Sequence, residues 1–174
     1  MSATEDNNAP PKGPQCRVLI QQCVQAELHI DDANLVKIDR GIVVFVSFFA
    51  GATEDVVRRA AQSILKIKLS ENHDGKLISV LDLPGSVLLI PQACLGGKRK
   101  NNAVQYHQLI EKNKGEVLFK IMESELQKHL SSCPKVTAVA DETSRPCVRS
   151  GTYGNRQVLK MDSSMGPFSH VIDF

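Results

Sequence analysis

A chain of 174 residues is long enough for one domain with a full hydrophobic core and short for two. Hydrophobic residues make up 42%, which excludes disorder over most of the length, while 5% aromatic residues and no Trp argue against a surface built mainly to stack bases. The formal net charge of +2 excludes the strongly basic footprint of a protein that coats nucleic acid along its length, so any RNA contact must be local.

The polar, proline-rich start "MSATEDNNAPPKGP" is predicted to be a flexible tail over residues 1–14, ahead of a single domain over 15–174. It has neither the apolar core of a signal peptide nor the Arg-rich, acid-poor pattern of a transit peptide. From Val24 to Ile30, apolar Val24, Ala26, Leu28 and Ile30 alternate with Gln25, Glu27 and His29, the period of a half-buried strand. "LVKID" and "RGIVVFVSFF" follow as strands, the second buried on both faces, and the three segments read as a meander. The longest apolar run, "GIVVFVSFFAGA", is too short to span a bilayer, and no membrane partner is expected.

Thr53 is a suitable N-cap, and Val56, Val57, Ala60, Ile64 and Ile67 recur at helical spacing, which predicts a helix over 54–67. "KIKLS" and "KLISVLD" are predicted strands joined by the Asp74-Gly75 hairpin signal, and "DLPG" turns the chain into "SVLLIPQ". "GGKRKNN" reads as a basic, glycine-bearing loop. "GEVLFKIMESELQKHL" sets Leu118, Ile121, Met122, Leu126, His129 and Leu130 on one helical stripe, and "KVTAVA", "NRQVLKM" and "FSHVIDF" are predicted as three closing strands. The sum is an α+β fold, two helices packed on a curved, largely antiparallel sheet or partial barrel.

Cys16, Cys23, Cys94, Cys133 and Cys147 are odd in number and widely spaced, with no C-x-x-C and no zinc arrangement of Cys and His. A reducing, cytosolic compartment is expected, with no metal and no cofactor.

The chain carries no G-x-S-x-G elbow, P-loop, H-E-x-x-H or carboxylate pair at a telling spacing. Two stretches remain. In "PQACLGGKRKNN" a strand is halted by Pro91, and backbone N–H groups released there, beside the Gln92 amide, suit an oxyanion hole for ester hydrolysis; alternatively Pro91 only ends an edge strand. Cys94 invites a nucleophile reading but has no His or Asn partner in a family-specific arrangement. Lys98, Arg99 and Lys100 suit phosphate contacts or a plain solvated loop. In "SSMGPFSHVIDF", Gly166 permits close approach of its backbone to a ligand and Pro167 fixes the local path without an N–H.

Together these stretches resemble the D-aminoacyl-tRNA deacylase superfamily, which pairs a motif of the type S-Q-x-x-L with one of the type N-x-G-P-x-T near the C-terminus. They stand here as "PQACL" and "SMGPFS". Proline in place of the leading serine, with "LGGKRKNNAVQYH" and "SGTYGNRQVLKMD", is similar to the animal-type branch, the animalia-specific tRNA deacylases; the similarity runs from about Cys16 to Phe174. The resemblance implies a homodimeric, cytosolic esterase that cleaves the bond between an amino acid and the terminal adenosine of mischarged tRNA, with no role on DNA. In such enzymes the Gly-Pro segment of one chain reaches into the pocket of the other, and the RNA's own 2′-hydroxyl assists the attacking water. By that likeness Gln92, Ala93 and Cys94 would be the catalytic residues: Gln92 and Ala93 would line the scissile carbonyl, with the Ala93 N–H or the Gln92 amide stabilising the oxyanion, and Cys94 would stand where the motif has threonine. Pro91, Gly166, Pro167, Phe168 and Ser169 would govern substrate choice, and Lys98, Arg99, Lys100 and Arg156 would contact RNA. The branch carries a trans Gly-Pro where its D-specific relatives carry cis, which widens the pocket for a small L-amino acid and implies removal of L-alanine from threonine tRNA, with activity on D-aminoacyl and glycyl esters to varying degrees.

Two departures from the branch stand out. Cys94 replaces the threonine of "PQATL", and "DSSMGPFSH" replaces "DTNGPFTH", with one extra residue before Gly166, Met165 for Asn and Ser169 for Thr. The alternatives are a strictly D-aminoacyl-tRNA deacylase, a tRNA-binding dimer that has lost catalysis, and a redox sensor acting through Cys94.

Overall fold

The computed structural model describes residues 13–164, 166 and 168–174, so the expected tail up to residue 12, Met165 and Pro167 lie outside the described residues. The strands are β1 (Cys16–Cys23), β2 (Gln25–His29), β3 (Leu35–Ile38), β4 (Gly41–Phe48), β5 (Lys68–Glu71), β6 (Leu77–Ser79), β7 (Ser86–Pro91), β8 (Lys98–Lys100), β9 (Ala103–Gln105), β10 (Val148–Ser150), β11 (Val158–Asp162) and β12 (Ser169–Asp173). The helices are α1 (Glu54–Lys66), α2 (Lys112–Ser131) and the single-turn α3 (Pro134–Thr137).

Five strands form the central sheet in the order β10–β7–β4–β1–β12. β1 runs antiparallel to β4 and β12, whereas β7 runs parallel to both β4 and β10. Parallel neighbours require a long crossover, and each pair has one: α1 lies between β4 and β7 in the chain, and α2 between β7 and β10. Both helices pack on the same face. There Val18 and Ile20 of β1 and Ile42, Val44 and Val46 of β4 meet Val57, Ala60 and Ile64 of α1 and Met122, Leu126 and Leu130 of α2. On the opposite face Val43, Leu88 and Ile90 meet Ala26, Leu28 and Ile38 of a smaller sheet, β11–β2–β3. β4 and β7 are thus covered on both sides, as their near-continuous apolar sequences require.

Thr53 caps α1 as expected, its Oγ1 accepting from the Val56 N–H at 3.4 Å. Several expectations need correction. The ladders are mostly antiparallel, yet the centre of the main sheet is mixed, and the described residues form no closed barrel. The meander stops at β3, because β4 pairs with β1 and β7 instead of β3. "KVTAVA" is not a strand: Pro134 opens α3 at the first helical position, where its missing N–H costs nothing, and Val136 alone of that turn is buried. The basic loop is a hairpin, β8 against β9, turned at Asn101 with φ +55°, a conformation Asn tolerates better than most residues. Neither β1 nor the three-residue β10 is among the strands the sequence pattern predicts.

The β4–β7 ladder begins at Gly41 opposite Ser86, so tightly that a Cβ on Gly41 would fall on the Ser86 backbone carbonyl. Gly41→Ala is expected to cost about 3 kcal/mol of stability, since backbone cannot step aside as a side chain can. Urea unfolding of the two proteins measures it, and an unchanged midpoint would contradict this registration of the strands.

Candidate active site

β7 ends at Pro91, opposite Val46 of β4. It is an interior strand, not the edge strand that the simpler reading of Pro91 supposed. Proline is tolerated because the β10 ladder has already stopped, its last pair being Ser150 with Leu89. The Gln92 N–H still donates to the Val46 carbonyl at 2.8 Å, so the release from sheet pairing begins one residue later than expected. The chain then closes a single 3-10 turn over Ala93–Gly96. The opening N–H groups of such a turn lack partners within it, and no described residue accepts from Ala93 or Cys94. Gly96 is buried where the turn crosses β4; a Cβ there would strike Leu109 and stand 3.2 Å from Ser47 Oγ.

Pro91, Gln92, Ala93 and Cys94 form one wall of a cavity of about 400 Å³. Val46, Ser47 and Phe48 at the end of β4 contribute to it, Leu109, Ile110 and Lys112 bound another side, and Tyr153, Gly154, Asn155 and Arg156 stand after β10. Tyr153 is fixed by α2: its hydroxyl fills the space a Cβ on Gly115 would need, and its ring lies 5.7 Å from that of Phe119. Burial, and then the negative charge of Glu116, push the Tyr153 phenol above its ordinary range. Among the described residues no His, Asp or Glu lines the cavity, and its ionisable side chains besides Cys94 are Lys112, Tyr153 and Arg156.

All five cysteines are free, and Cys94 alone is exposed. Burial pushes Cys16 up to about 12 and Cys23 up to about 11, which leaves both thiols inert at neutral pH. Cys94 instead faces Tyr106, the residue after β9: the negative charge of the thiolate, with burial and a hydrogen bond to the sulfur, raises the Tyr106 phenol.

The remaining residues singled out by sequence stand elsewhere. Gly166, Phe168 and Ser169 do not line the cavity. Gly166 has φ +76°, its carbonyl accepts from the Ser163 hydroxyl at 3.1 Å, and a Cβ would lie 2.6 Å from the Phe168 ring. Phe168 is 62% exposed, and Ser169 accepts from Gln21 Nε2 at 2.8 Å. The Gly166-Pro167 peptide bond falls outside the described residues. Lys98, Arg99 and Lys100 lie on the exposed β8, where strand alternation turns Arg99 away from the two lysines, and Arg99 Nε donates to the Asn101 carbonyl at 2.8 Å. Arg156 is the one proposed RNA residue that reaches the cavity. Tyr153, Gly154 and Asn155 are not among the lining residues predicted from sequence, although "GTYGN" carries a signal, an aromatic residue set between glycines in the loop that joins β10 to β11. Among the described residues no group of three or more His, Cys, Asp or Glu could hold a metal, and no helix is long and apolar enough to cross a membrane.

A cavity with backbone donors at one wall and, among the described residues, no His or carboxylate suits hydrolysis of an ester that is already activated. The family model described as D-Tyr-tRNA(Tyr) deacylase matches residues 19–173, and the chain belongs to that family. It is 43% identical to D-aminoacyl-tRNA deacylase 2 of Danio rerio over 92% of this chain and 99% of the relative, and 44% identical to the Gallus gallus protein of that name over 91% and 95%. The Homo sapiens protein of that name is 41% identical over 92% and 96%, and these relatives put the chain in the animal-type branch. Among solved structures, a probable eukaryotic D-amino acid tRNA deacylase superposes with a TM-score of 0.77 at 29% identity, covering 91% of this chain and 99% of that one. The c-Myc DNA unwinding element binding protein, at 18% identity and a TM-score of 0.74 over 91% and 98%, shares the fold.

With two tyrosines and no tryptophan, phenolate absorbance gives a clean test of the Cys94–Tyr106 contact. Both phenols are expected to titrate above the ordinary tyrosine range of about 10, and Cys94→Ala should bring one of them down. A titration curve unmoved by the substitution would place the thiol away from the phenol.

Proposed function

We propose that this hydrolase, an aminoacyl-tRNA deacylase by family, acts as a homodimer in translation proofreading and removes L-alanine from threonine tRNA. The observation that carries this reading is the pair of N–H groups, Ala93 and Cys94, that have no partner among the described residues, at the wall of a cavity that no described His, Asp or Glu lines. An aminoacyl ester needs little activation, so oriented backbone donors and correct positioning supply most of the rate, and the neighbouring 2′-hydroxyl of the RNA takes the role of assisting the attacking water. Gln92 would flank the scissile carbonyl, Cys94 would line the pocket without attacking, and Arg156 would meet the RNA at the cavity mouth. Lys98 and Lys100 would grip phosphates further along the acceptor strand.

The position of Gly166 supports a shared site. It does not line the cavity of its own chain, yet it stands shortly before β12, the edge strand of the main sheet; Phe168 just ahead of that strand is 62% exposed and Val171 on it 59%. A second chain docked along that surface would bring its own Gly166-Pro167 to a neighbouring cavity as the main-chain filter for the amino acid.

The names of the relatives favour a second reading, deacylation restricted to D-aminoacyl-tRNA. Deacylation of L-alanyl-tRNA(Thr) and D-tyrosyl-tRNA by one preparation decides between them. Loss of the L-alanyl ester is expected, whereas loss of the D-tyrosyl ester alone would establish the second reading, and binding of both charged tRNAs with loss of neither would mark a non-catalytic binder. Cys94→Ser is expected to retain activity within about tenfold, because a pocket-lining thiol contributes size more than chemistry. A complete block would make the thiol a nucleophile. Activity should also fall with salt, and Lys100→Ala should flatten the logarithmic salt slope by about 1 if that lysine holds a phosphate.

A further inference from the structure

Arg17 stands on β1 directly between Asp173 of β12 and Ser47 of β4. Its guanidinium uses three nitrogens at once. Nε and Nη2 form a two-pronged pair with the Asp173 carboxylate at 2.7 and 2.9 Å, and Nη1 donates to the backbone carbonyl of Leu95 at 3.2 Å. The guanidinium carbon lies over the ring of Phe49, 5.5 Å from its centroid, within cation–π range. Leu95 is the third residue of the 3-10 turn that opens with Ala93 and Cys94.

An isolated 3-10 turn has poor hydrogen-bond geometry and little stability of its own, so something outside it must hold its orientation. Among the described residues Arg17 is the one side chain that donates to the backbone of 93–97. Ser47 lies under the same turn, yet its hydroxyl is buried without a partner and ties nothing down. The guanidinium therefore links the turn to the sheet, and Asp173 and Phe49 in turn fix the plane of the guanidinium.

We propose that Arg17 is a positioning residue for the Ala93–Gly96 turn: held by Asp173, it fixes the Leu95 carbonyl and so aims the Ala93 and Cys94 N–H groups at the cavity. This rests on the deacylase reading for its catalytic consequence, and on the geometry alone for its effect on the turn. Arg17 touches neither the cavity nor the ester. Its loss acts on the orientation of the donors, which matters when charge develops on the carbonyl oxygen and matters little when the tRNA binds. Lysine cannot substitute fully, because a single ammonium lacks the planar fork that serves the carboxylate and the carbonyl together.

The test compares wild type, Arg17→Lys and Arg17→Met in two measurements. In steady-state deacylation of L-alanyl-tRNA(Thr), Arg17→Met is expected to lower kcat by about tenfold to a hundredfold with KM within about threefold, and Arg17→Lys to fall between. In hydrogen exchange read by mass spectrometry, the peptide covering 92–97 should take up deuterium faster in both variants, the rest of the chain exchanging as in wild type. Equal kcat together with unchanged exchange in 92–97 overturns the proposal, as does faster exchange spread across the whole sheet, which would mean that Arg17 only stabilises the fold. If Arg17→Met does not fold, Arg17→Lys carries both measurements. A wild-type protein that cleaves no ester would refute the deacylase reading, and the exchange data would still decide the role of Arg17.

Discussion

The parallel pairing of β4 with β7 determines where chemistry can occur in this fold. Its register sets Val46 opposite Pro91, continues for one more hydrogen bond to Gln92, and then lets the chain turn across the end of the sheet. Slippage by one residue would carry Leu88 and Ile90 from the small-sheet face to the helix face, and Val87 and Leu89 the other way. Both faces are packed, so the register is held from two sides. The cavity then forms beyond the carboxyl ends of three mutually parallel strands, with Phe48 ending β4, Pro91 ending β7, and Tyr153 to Arg156 following β10. A crevice at such strand ends is where open α/β sheets bind ligands, because backbone groups leave the ladder there.

The outer elements of this arrangement are legible in the sequence and its centre is less so. Thr53 with its apolar spacing marks α1, and the 3.6-residue stripe from Leu118 to Leu130 marks α2, because both helices bury one face only. Strand β1 escaped notice because the residues that alternate with its buried Cys16, Val18 and Ile20 include Leu19, which blurs the polar face. β10 escaped because three residues carry no period at all. The parallel pairing itself is a long-range fact, fixed by how α1 and α2 return the chain to the same face of the sheet. Of the candidate site, "PQAC" is legible as a strand end, with released donors and a plain edge strand both open as readings, whereas the wall made by Tyr153 depends on the absence of a side chain at Gly115, remote in sequence. That pairing of a small residue with a large one leaves no local pattern.

The two departures from the motifs of the branch bear on different links. At Cys94 the side chain is exposed at the cavity wall and its backbone N–H is the group that the proposed mechanism would use, so exchange of a hydroxyl for a thiol would leave that donor in place. The insertion before Gly166 acts on the backbone itself. Ser163 reaches forward to the Gly166 carbonyl, an acceptor that a filter made of main-chain groups would present to its ligand. If Gly166 is the proposed filter, a change in that short bridge would bear on substrate choice more directly than any change at Cys94.

Within one chain β7 and β12 are separated by β4 and β1, three strand spacings or about 14 Å. The turn at Ala93 spans part of that distance and is met by Arg17, which is itself paired to β12 through Asp173. The same carboxylate that anchors the proposed donor turn thus lies on the strand that carries Gly166 toward solvent. If a partner chain lends its Gly166 to the cavity, each β12 serves two sites: its outward end supplies the filter for one, and its inward salt bridge holds the oxyanion donors of the other. Docking of a second chain against β12 would then bear on both ends of that strand, so selection of the amino acid and alignment of the donors would be coupled through a single strand.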